Sequence, residues 1–354
     1  MRQAAASRGN PNATRGRGSD GGIGPVETDA DAEWAIPVIS SGARHPSVIT
    51  GRMAHMVRVA VVLGITLFSI VPVASAQSCA ASPVAVQILG SGGPRANRDR
   101  ASASYLLWVD GRTRMLVDAG GGAYARFGAS GANLDDLSLI AISHLHPDHI
   151  SDLPALFWSI DQTRKAPALP ISGPSGNDLV PGFDTFLKVL FDQANGAFRV
   201  LGGMVGGSGR GVPLEVTVTD VKKREPSMVF NRQGLMVTGL GIPHGDIPAL
   251  AYRVQTQNKS IVFSTDQNGT NPSFVEFARG ADVLVMHMAI AAGATSPLHA
   301  APAVVGRIAQ DARVGRLVVS HIGQFDLDAA IADVKKSYTG PLTVGADLQC
   351  TPVG

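Results

Sequence analysis

The apolar positions of this chain fall into short runs, and each run ends at a chemically loaded turn. Leu139-Ile140-Ala141-Ile142-Ser143 reads as a buried strand, a brief apolar stretch bounded by polar residues. His144-Leu145-His146 continues it, and the period of an extended chain puts both histidines on one face. Pro147 then blocks further pairing, and Asp148 is placed to cap the helix suggested by Ile150–Phe157. Later runs repeat the arrangement: Leu235–Pro243 leads into His244, Ser260–Thr265 delivers Asp266, and Leu317–Ser320 leads into His321. Between the first cluster and His244, residues 167–233 read as an insertion with a helical stretch from Phe183 to Ala194. Its most flexible piece is the glycine-rich Leu201–Gly211. Phe183, Phe186, Phe191 and Phe198 in this insertion suit core packing or apolar substrate contacts.

The polar residues at these strand ends are metal ligands by type. The chain has nine histidines. His45 and His55 lie in the N-terminal region, whereas His144, His146, His149, His244, His287, His299 and His321 all fall near strand ends or turns. Three imidazoles and a carboxylate within six residues, with no cysteine among them, fit a zinc-type hydrolytic site, because imidazole suits zinc, iron and nickel and carboxylate hardens the site. Asp118 reads either as a partner that orients a ligand histidine or as a turn-stabilising residue before Ala119-Gly120-Gly121-Gly122. Gly90-Ser91-Gly92-Gly93 lacks the Lys-Ser/Thr ending of a phosphate loop and reads as a tight turn after the first strand.

In this order, His144-x-His146-x-Asp148-His149, then His244, Asp266 and His321 resemble the metallo-β-lactamase superfamily, within it the branch containing ribonuclease Z and arylsulfatase-like hydrolases. The resemblance runs from about Val84 to Leu348 and includes Val86–Pro94, Ser102–Leu107 and the Asp-x-Gly turn of Met115–Gly120. It implies an α/β fold: a single-domain αββα sandwich in four layers, two mixed sheets faced by helices, with a dimetal site at the sheet edges. It also implies that His144, His146 and His244 hold one divalent ion, that Asp148, His149 and His321 hold the other, and that Asp266 bridges them. Zinc is the expected metal. Two such cations roughly 3.5–4 Å apart activate a shared water without a protein base.

In the ribonuclease Z branch a His-Glu pair follows the bridging aspartate, and a further histidine follows a loop later. Here those places read His287-Met288 and Ser296-Pro297-Leu298-His299. Met288 in place of the acid argues against maturation of transfer-RNA 3′ ends. His299, Asp148 and His287 are the candidate catalytic residues. His299 suits a general acid or a hydrogen-bond donor to a developing oxyanion; His287 suits catalysis or a satisfied place on a buried strand. The expected activity is hydrolysis of a phosphodiester or related sulfate ester. The alternatives are a lactonase or other acyl-ester hydrolase, and a non-catalytic zinc-binding protein.

Composition fits an exported enzyme. The chain is 45% hydrophobic and 16% charged with a formal net charge of +2, which excludes wholesale disorder and a polyanion-binding surface. A small-molecule ester is therefore the expected partner, with no nucleic acid. Lys222-Lys223-Arg224 reads as a solvated hairpin edge. Residues 1–52, rich in Gly, Ala, Ser and Arg, read as disordered or upstream of the true start. Residues 53–76 read as a secretory signal peptide: Arg58 precedes the apolar run Val59–Val71, and Ala74-Ser75-Ala76 supplies the cleavage site. The hydrolase domain then spans 77–354, periplasmic or secreted, with no stable membrane insertion. In an oxidising compartment Cys79 and Cys350, the two cysteines, most simply form one disulfide joining the chain ends.

Overall fold

Strands buried on both faces, with side chains alternating between two apolar layers, build this architecture. A computed structural model describes residues 79–163, 168–223 and 225–354, so the expected leader and the residues before it lie outside the described residues. The described residues fall in one structural unit. In chain order the strands are β1 (Val84–Gly90), β2 (Ser104–Val109), β3 (Arg112–Val117), β4 (Leu139–Ala141), β5 (Leu169–Pro174), β6 (Leu214–Thr219), β7 (Ser227–Arg232), β8 (Leu235–Ile242), β9 (Ala249–Thr256), β10 (Lys259–Phe263), β11 (Val283–His287), β12 (Arg316–Ser320), β13 (Leu342–Val344) and β14 (Cys350–Pro352). The helices are α1 (Ala123–Ala129), α2 (Pro147–Ile150), α3 (Leu153–Thr163), α4 (Phe183–Phe191), α5 (Pro272–Ala278), α6 (Pro302–Asp311) and α7 (Leu327–Lys335).

Two seven-stranded mixed sheets result, ordered β14-β1-β2-β3-β4-β5-β6 and β13-β12-β11-β10-β9-β8-β7. Each contains a run of four antiparallel strands continued by three parallel neighbours. Val84, Val86 and Ile88 of β1 and Tyr105 and Leu107 of β2 point inward, where they meet Tyr252, Ile261, Phe263 and Val285 of the other sheet. The alternate residues Leu106, Leu116 and Ile140 face outward and pack with Phe157, Phe183 and Phe191 from α3 and α4. Leu284, Met286 and Val319 do the same on the second sheet against α5, α6 and α7. The layers are helix, sheet, sheet, helix, as expected.

Three local expectations are corrected. The residues taken for an insertion build β5 and β6 into the first sheet and begin the second with β7. Phe183 and Phe191 are fully buried there, which removes them from any substrate surface, and α4 ends at Phe191, three residues earlier than the pattern predicts. The helix expected over Ile150–Phe157 begins instead as α2, with His146 rather than Asp148 at the N-cap and Pro147 at the first position; α3 follows separately. Lys222 and Lys223 are exposed but lie in the connection between the two sheets, not on a hairpin edge.

The disulfide forms: Cys79 is bonded to Cys350, with a Cα–Cα distance of 5.5 Å. It fastens the turn before β1 to edge strand β14, which contributes only three residues to the sheet. Closing so long a loop removes entropy mainly from the unfolded chain, so Cys350→Ser is expected to lower stability by on the order of 2–4 kcal/mol. Denaturant titration of the oxidised protein and the variant checks this, and coincident midpoints would refute it.

Candidate metal centre

Strands β3 and β4 run in the same sense in the first sheet, as do β8, β10, β11 and β12 in the second. Their C-terminal ends supply Asp118, the His144–His149 loop, His244, Asp266, His287 and His321, the end of a parallel array where ligands generally bind. At three of these ends the backbone turns through the left-handed region: Asp118 has φ 58°, Thr265 φ 49° and His321 φ 52°. Thr265 is β-branched, so this conformation is strained and has to be held by its surroundings. Its hydroxyl donates to the Leu250 carbonyl at 2.5 Å, and the strain swings Asp266 into the cleft between the sheets.

The β4 ladder ends earlier than the sequence pattern predicts because a side chain replaces a strand. Asp118 Oδ1 accepts the Ser143 N–H at 2.7 Å, and Oδ2 accepts the Ser143 hydroxyl at 2.8 Å. His144 and His146 therefore project from a loop rather than from one face of a strand. Their rings still converge, with His144 Nε2 3.0 Å from His146 Nδ1. Gly120 makes room for the following turn, since a side chain there would collide with the Asp148 carbonyl.

Hydrogen-bond partners assign the tautomers of His144 and His244 and orient His149. The Ser143 hydroxyl is committed to Asp118, so His144 Nδ1, 3.0 Å away, donates to it and leaves Nε2 bare. His244 Nδ1 donates to the Leu298 carbonyl at 2.8 Å, which leaves its Nε2 bare and 3.2 Å from His146 Nδ1. His149 Nδ1 donates to Asp118 Oδ2 at 2.7 Å, and its Nε2 meets His321 Nε2 at 3.2 Å. Imidazole nitrogens converging on a buried carboxylate, several with the opposite ring nitrogen already committed to a protein partner, are the donor set that suits divalent metal ions.

Asp266 is central to both groups. Its Oδ2 lies 3.9, 3.7 and 3.6 Å from Nε2 of His144, His244 and His149, and its Oδ1 lies 3.4 Å from His321 Nε2. Two four-residue clusters share it: His144, His146, His244 and Asp266, and His149, His287, His321 and Asp266. In the second cluster Asp148 is the better ligand. Its Oδ2 is 3.1 Å from His321 Nε2 and 3.6 Å from His149 Nε2, whereas both His287 nitrogens are engaged elsewhere. His287 Nδ1 donates to Asp266 Oδ1 at 2.6 Å, and Nε2 faces the Tyr105 hydroxyl at 2.8 Å. That hydroxyl also bonds Ser320 Oγ at 3.0 Å. His287, expected among the catalytic residues, sits buried behind Asp266, where it fixes the carboxylate and has no face toward a substrate.

Tyr105 and Ser143 are functional positions that the sequence reading missed. A tyrosine among the apolar residues of β2 was the available signal for the first, because a buried phenol needs a polar partner. Nothing local marked Ser143, whose role depends on the approach of Asp118 from β3.

Charges divide the two halves of the cluster. Burial holds His144, His146 and His244 below the usual imidazole range. Burial also pushes His149 downward, but the carboxylates of Asp118 and Asp266 outweigh it and raise His149 well above that range. For Asp148, burial acts upward and is outweighed by the hydrogen bond from His321 and the charge of His149, which keeps the carboxyl low. Burial pushes Asp266 upward as well, and the charges of His321 and His149 reverse that.

This fold and this pair of clusters define a metal-dependent hydrolase of the metallo-β-lactamase fold. The chain belongs to the β-lactamase superfamily: the family model for the beta-lactamase superfamily domain matches residues 113–322, more than half of its length. Ribonuclease Z of Mycolicibacterium paratuberculosis is 28% identical over 289 residues, covering 75% of this chain and 96% of that protein. Among solved structures, a metallo-β-lactamase fold protein from Bacillus subtilis superposes with a TM-score of 0.61 at 20% identity, covering 76% of this chain and 99% of its own. Human tRNase Z, short form, gives 0.59 at 19% identity, again covering 76% and 99%.

Two predictions follow from the geometry. Ligand histidines must be neutral, and His149 alone of those with a resolved shift is raised, so it carries a proton at neutral pH in the metal-free protein. Zinc binding at pH 7 should therefore release about one proton, from the His149 side; as pH falls, that side should lose affinity before the His144, His146 and His244 side. Calorimetric titration in buffers of different ionisation enthalpy reads the number, and release of none would contradict it. Tyr105→Phe keeps the ring and removes the hydroxyl that holds His287, the partner of Asp266, and should weaken metal binding by roughly 10-fold at most, the low end of what loss of a ligand's own partner costs. Competition with a chromogenic chelator measures this.

Proposed function

We propose that this hydrolase cleaves phosphodiester bonds of small molecules at a centre holding two divalent ions, most suitably zinc. The observation that carries the proposal is Asp266 shared by two ligand clusters, which provides for two cations side by side. The curated relatives that bear the name ribonuclease Z support phosphodiester chemistry. Met288 argues against transfer-RNA maturation, because it is fully buried in the apolar layer outside the second sheet and places no acid at the site. Export is part of the same proposal; the Cys79–Cys350 bridge, which an oxidising compartment sustains, supports it together with the apolar run Val59–Val71.

When bound, the two cations supply Lewis acidity and an activated water nucleophile. The protein supplies position and exclusion of water. Asp118 fixes the ring of His149, the Leu298 carbonyl fixes His244, and His287 fixes Asp266, so reorganisation during reaction is small. His299 stands at the mouth, with Nδ1 3.8 Å from Asp266 Oδ2 and its ring 5.3 Å from His244 and 5.6 Å from His321. Burial pulls it down to about 4, and the charge of His321 adds to that although Asp266 opposes it. A neutral imidazole at pH 7 donates a hydrogen bond rather than a proton. Of the two roles expected for His299, stabilisation of charge developing on a substrate oxygen is the one supported here.

Metal-reconstituted protein is to be assayed on phosphodiester, sulfate-ester and lactone panels, with Asp266→Ala as the inactive control. Phosphodiester turnover is expected, and lactone opening without it would overturn the proposal. His299→Ala should lower kcat by roughly 10²–10³, the loss expected for one oxyanion donor. The loss should be similar for good and poor leaving groups; a loss confined to poor leaving groups would make His299 the leaving-group acid instead.

A further inference from the structure

A cavity of about 360 Å³ adjoins the cluster, with His299 on its wall. We propose that this cavity binds one ester arm of the substrate and selects an uncharged aryl or alkyl group. The proposal rests on the phosphodiester reading above and adds the character of the substrate.

Three segments build the walls: the loop after β1, the loop after β11 and the residues after His321. Apolar surface dominates. Ile322 is 5% exposed, and Ile290, Ala294 and Phe325 are half-buried with side chains lining the space. Polar character comes from Asn97 and Gln324, and Arg95 is the one charged residue of the lining. The neighbouring arginines of the same loop are directed elsewhere. Arg98 pairs with Asp99 in solvent, and Arg100 is bonded to Ser91 Oγ and the Gly345 carbonyl. An apolar pocket of this size with a few placed polar groups is the usual form of a small-molecule site.

The walls are held in place by their own contacts. Ile322 N–H donates to the Ser91 carbonyl at 2.8 Å, and Gln324 Nε2 donates to the Ala96 carbonyl at 3.1 Å, so the first and third segments are clasped. Gly323 has no side chain where one would collide with the Ala289 carbonyl and the Phe325 ring, which lets the second and third segments close around that ring. On the inner side Gly93 lies directly over His321: a methyl on it would stand 3.2 Å from His321 Cε1. His299, whose Nδ1 lies 3.8 Å from Asp266 Oδ2, is the wall that the cavity shares with the ligand cluster, so an ester whose phosphorus sits beside Asp266 can extend an arm into it. A carboxylate on that arm would lose its hydration against Ile290, Ile322 and Phe325, and Arg95, exposed and screened by solvent, offsets that loss only in part.

The test uses methyl(phenyl)phosphinate and its 4-carboxylate derivative, whose two P–C bonds cannot be hydrolysed and which differ only in the charge on the arm. Their binding to the zinc-loaded protein is measured by calorimetry. The phenyl probe should bind at least roughly tenfold more tightly, within the range that pocket contacts discriminate. Phe325→Ala should reduce that ratio several-fold with zinc stoichiometry unchanged. Ile290→Lys places a second cation beside Arg95, within the apolar part of the pocket, and should shift the preference toward the carboxylate probe. Equal or tighter binding of the carboxylate probe by the wild type would overturn the proposal, as would a ratio unaffected by both substitutions. Because these readouts need no turnover, a preference found together with failure to hydrolyse any phosphodiester would discard the functional reading and leave the pocket standing.

Discussion

One buried carboxylate organises this molecule's chemistry. Asp266 is 2% exposed and lies within 4 Å of ring nitrogens on His144, His149, His244, His287, His299 and His321. Those rings arrive from both sheets, so the position of Asp266 decides whether the sheets meet as a site or merely as a core. A buried anion of this kind is tolerable only with compensating charge or hydrogen bonds. His287 gives one such bond, and Asp266 follows Thr265, whose backbone is held in the left-handed region. Six imidazoles around one carboxylate make a poor apolar core and a good ion cage.

Both sheets repeat one plan, four antiparallel strands continued by three parallel neighbours, and the chain reaches the site at the ends of strands running in a common sense. Catalytic position is thereby set by the sheets rather than by long loops. The segments that do vary in character, around Arg95, Ile290 and Gln324, stand at the rim. Their placement leaves ligand geometry independent of what the rim recognises.

The sequence made much of this legible because ligand chemistry is local. His144, His146, Asp148 and His149 lie within six residues, and the apolar runs before His244, Asp266 and His321 state that each is delivered by a strand end. Less legible was anything that depends on two distant segments meeting. Asp118 ends β4 by occupying the Ser143 N–H, which no pattern within residues 139–146 encodes, and so the strand read too long. The role of His287 turned on Tyr105, 182 residues away. Residues 167–233 looked like an addition because strands β5 and β6 are separated by a helix and a glycine-rich stretch, and only the pairing of Leu169 with Leu214 reveals them as neighbours.

The Cys79–Cys350 bond has a consequence for topology as well as for energy. It converts everything from the first turn to the last strand into a covalent ring, the joined residues standing 271 positions apart in sequence. A ring has no inner ends. A single proteolytic cut at the exposed Gly206–Arg210 stretch would produce a linear molecule of the same composition, not two separable fragments, with its new termini far in sequence from every ligand of the cluster. A catalyst closed in this way can be nicked once and remain one molecule.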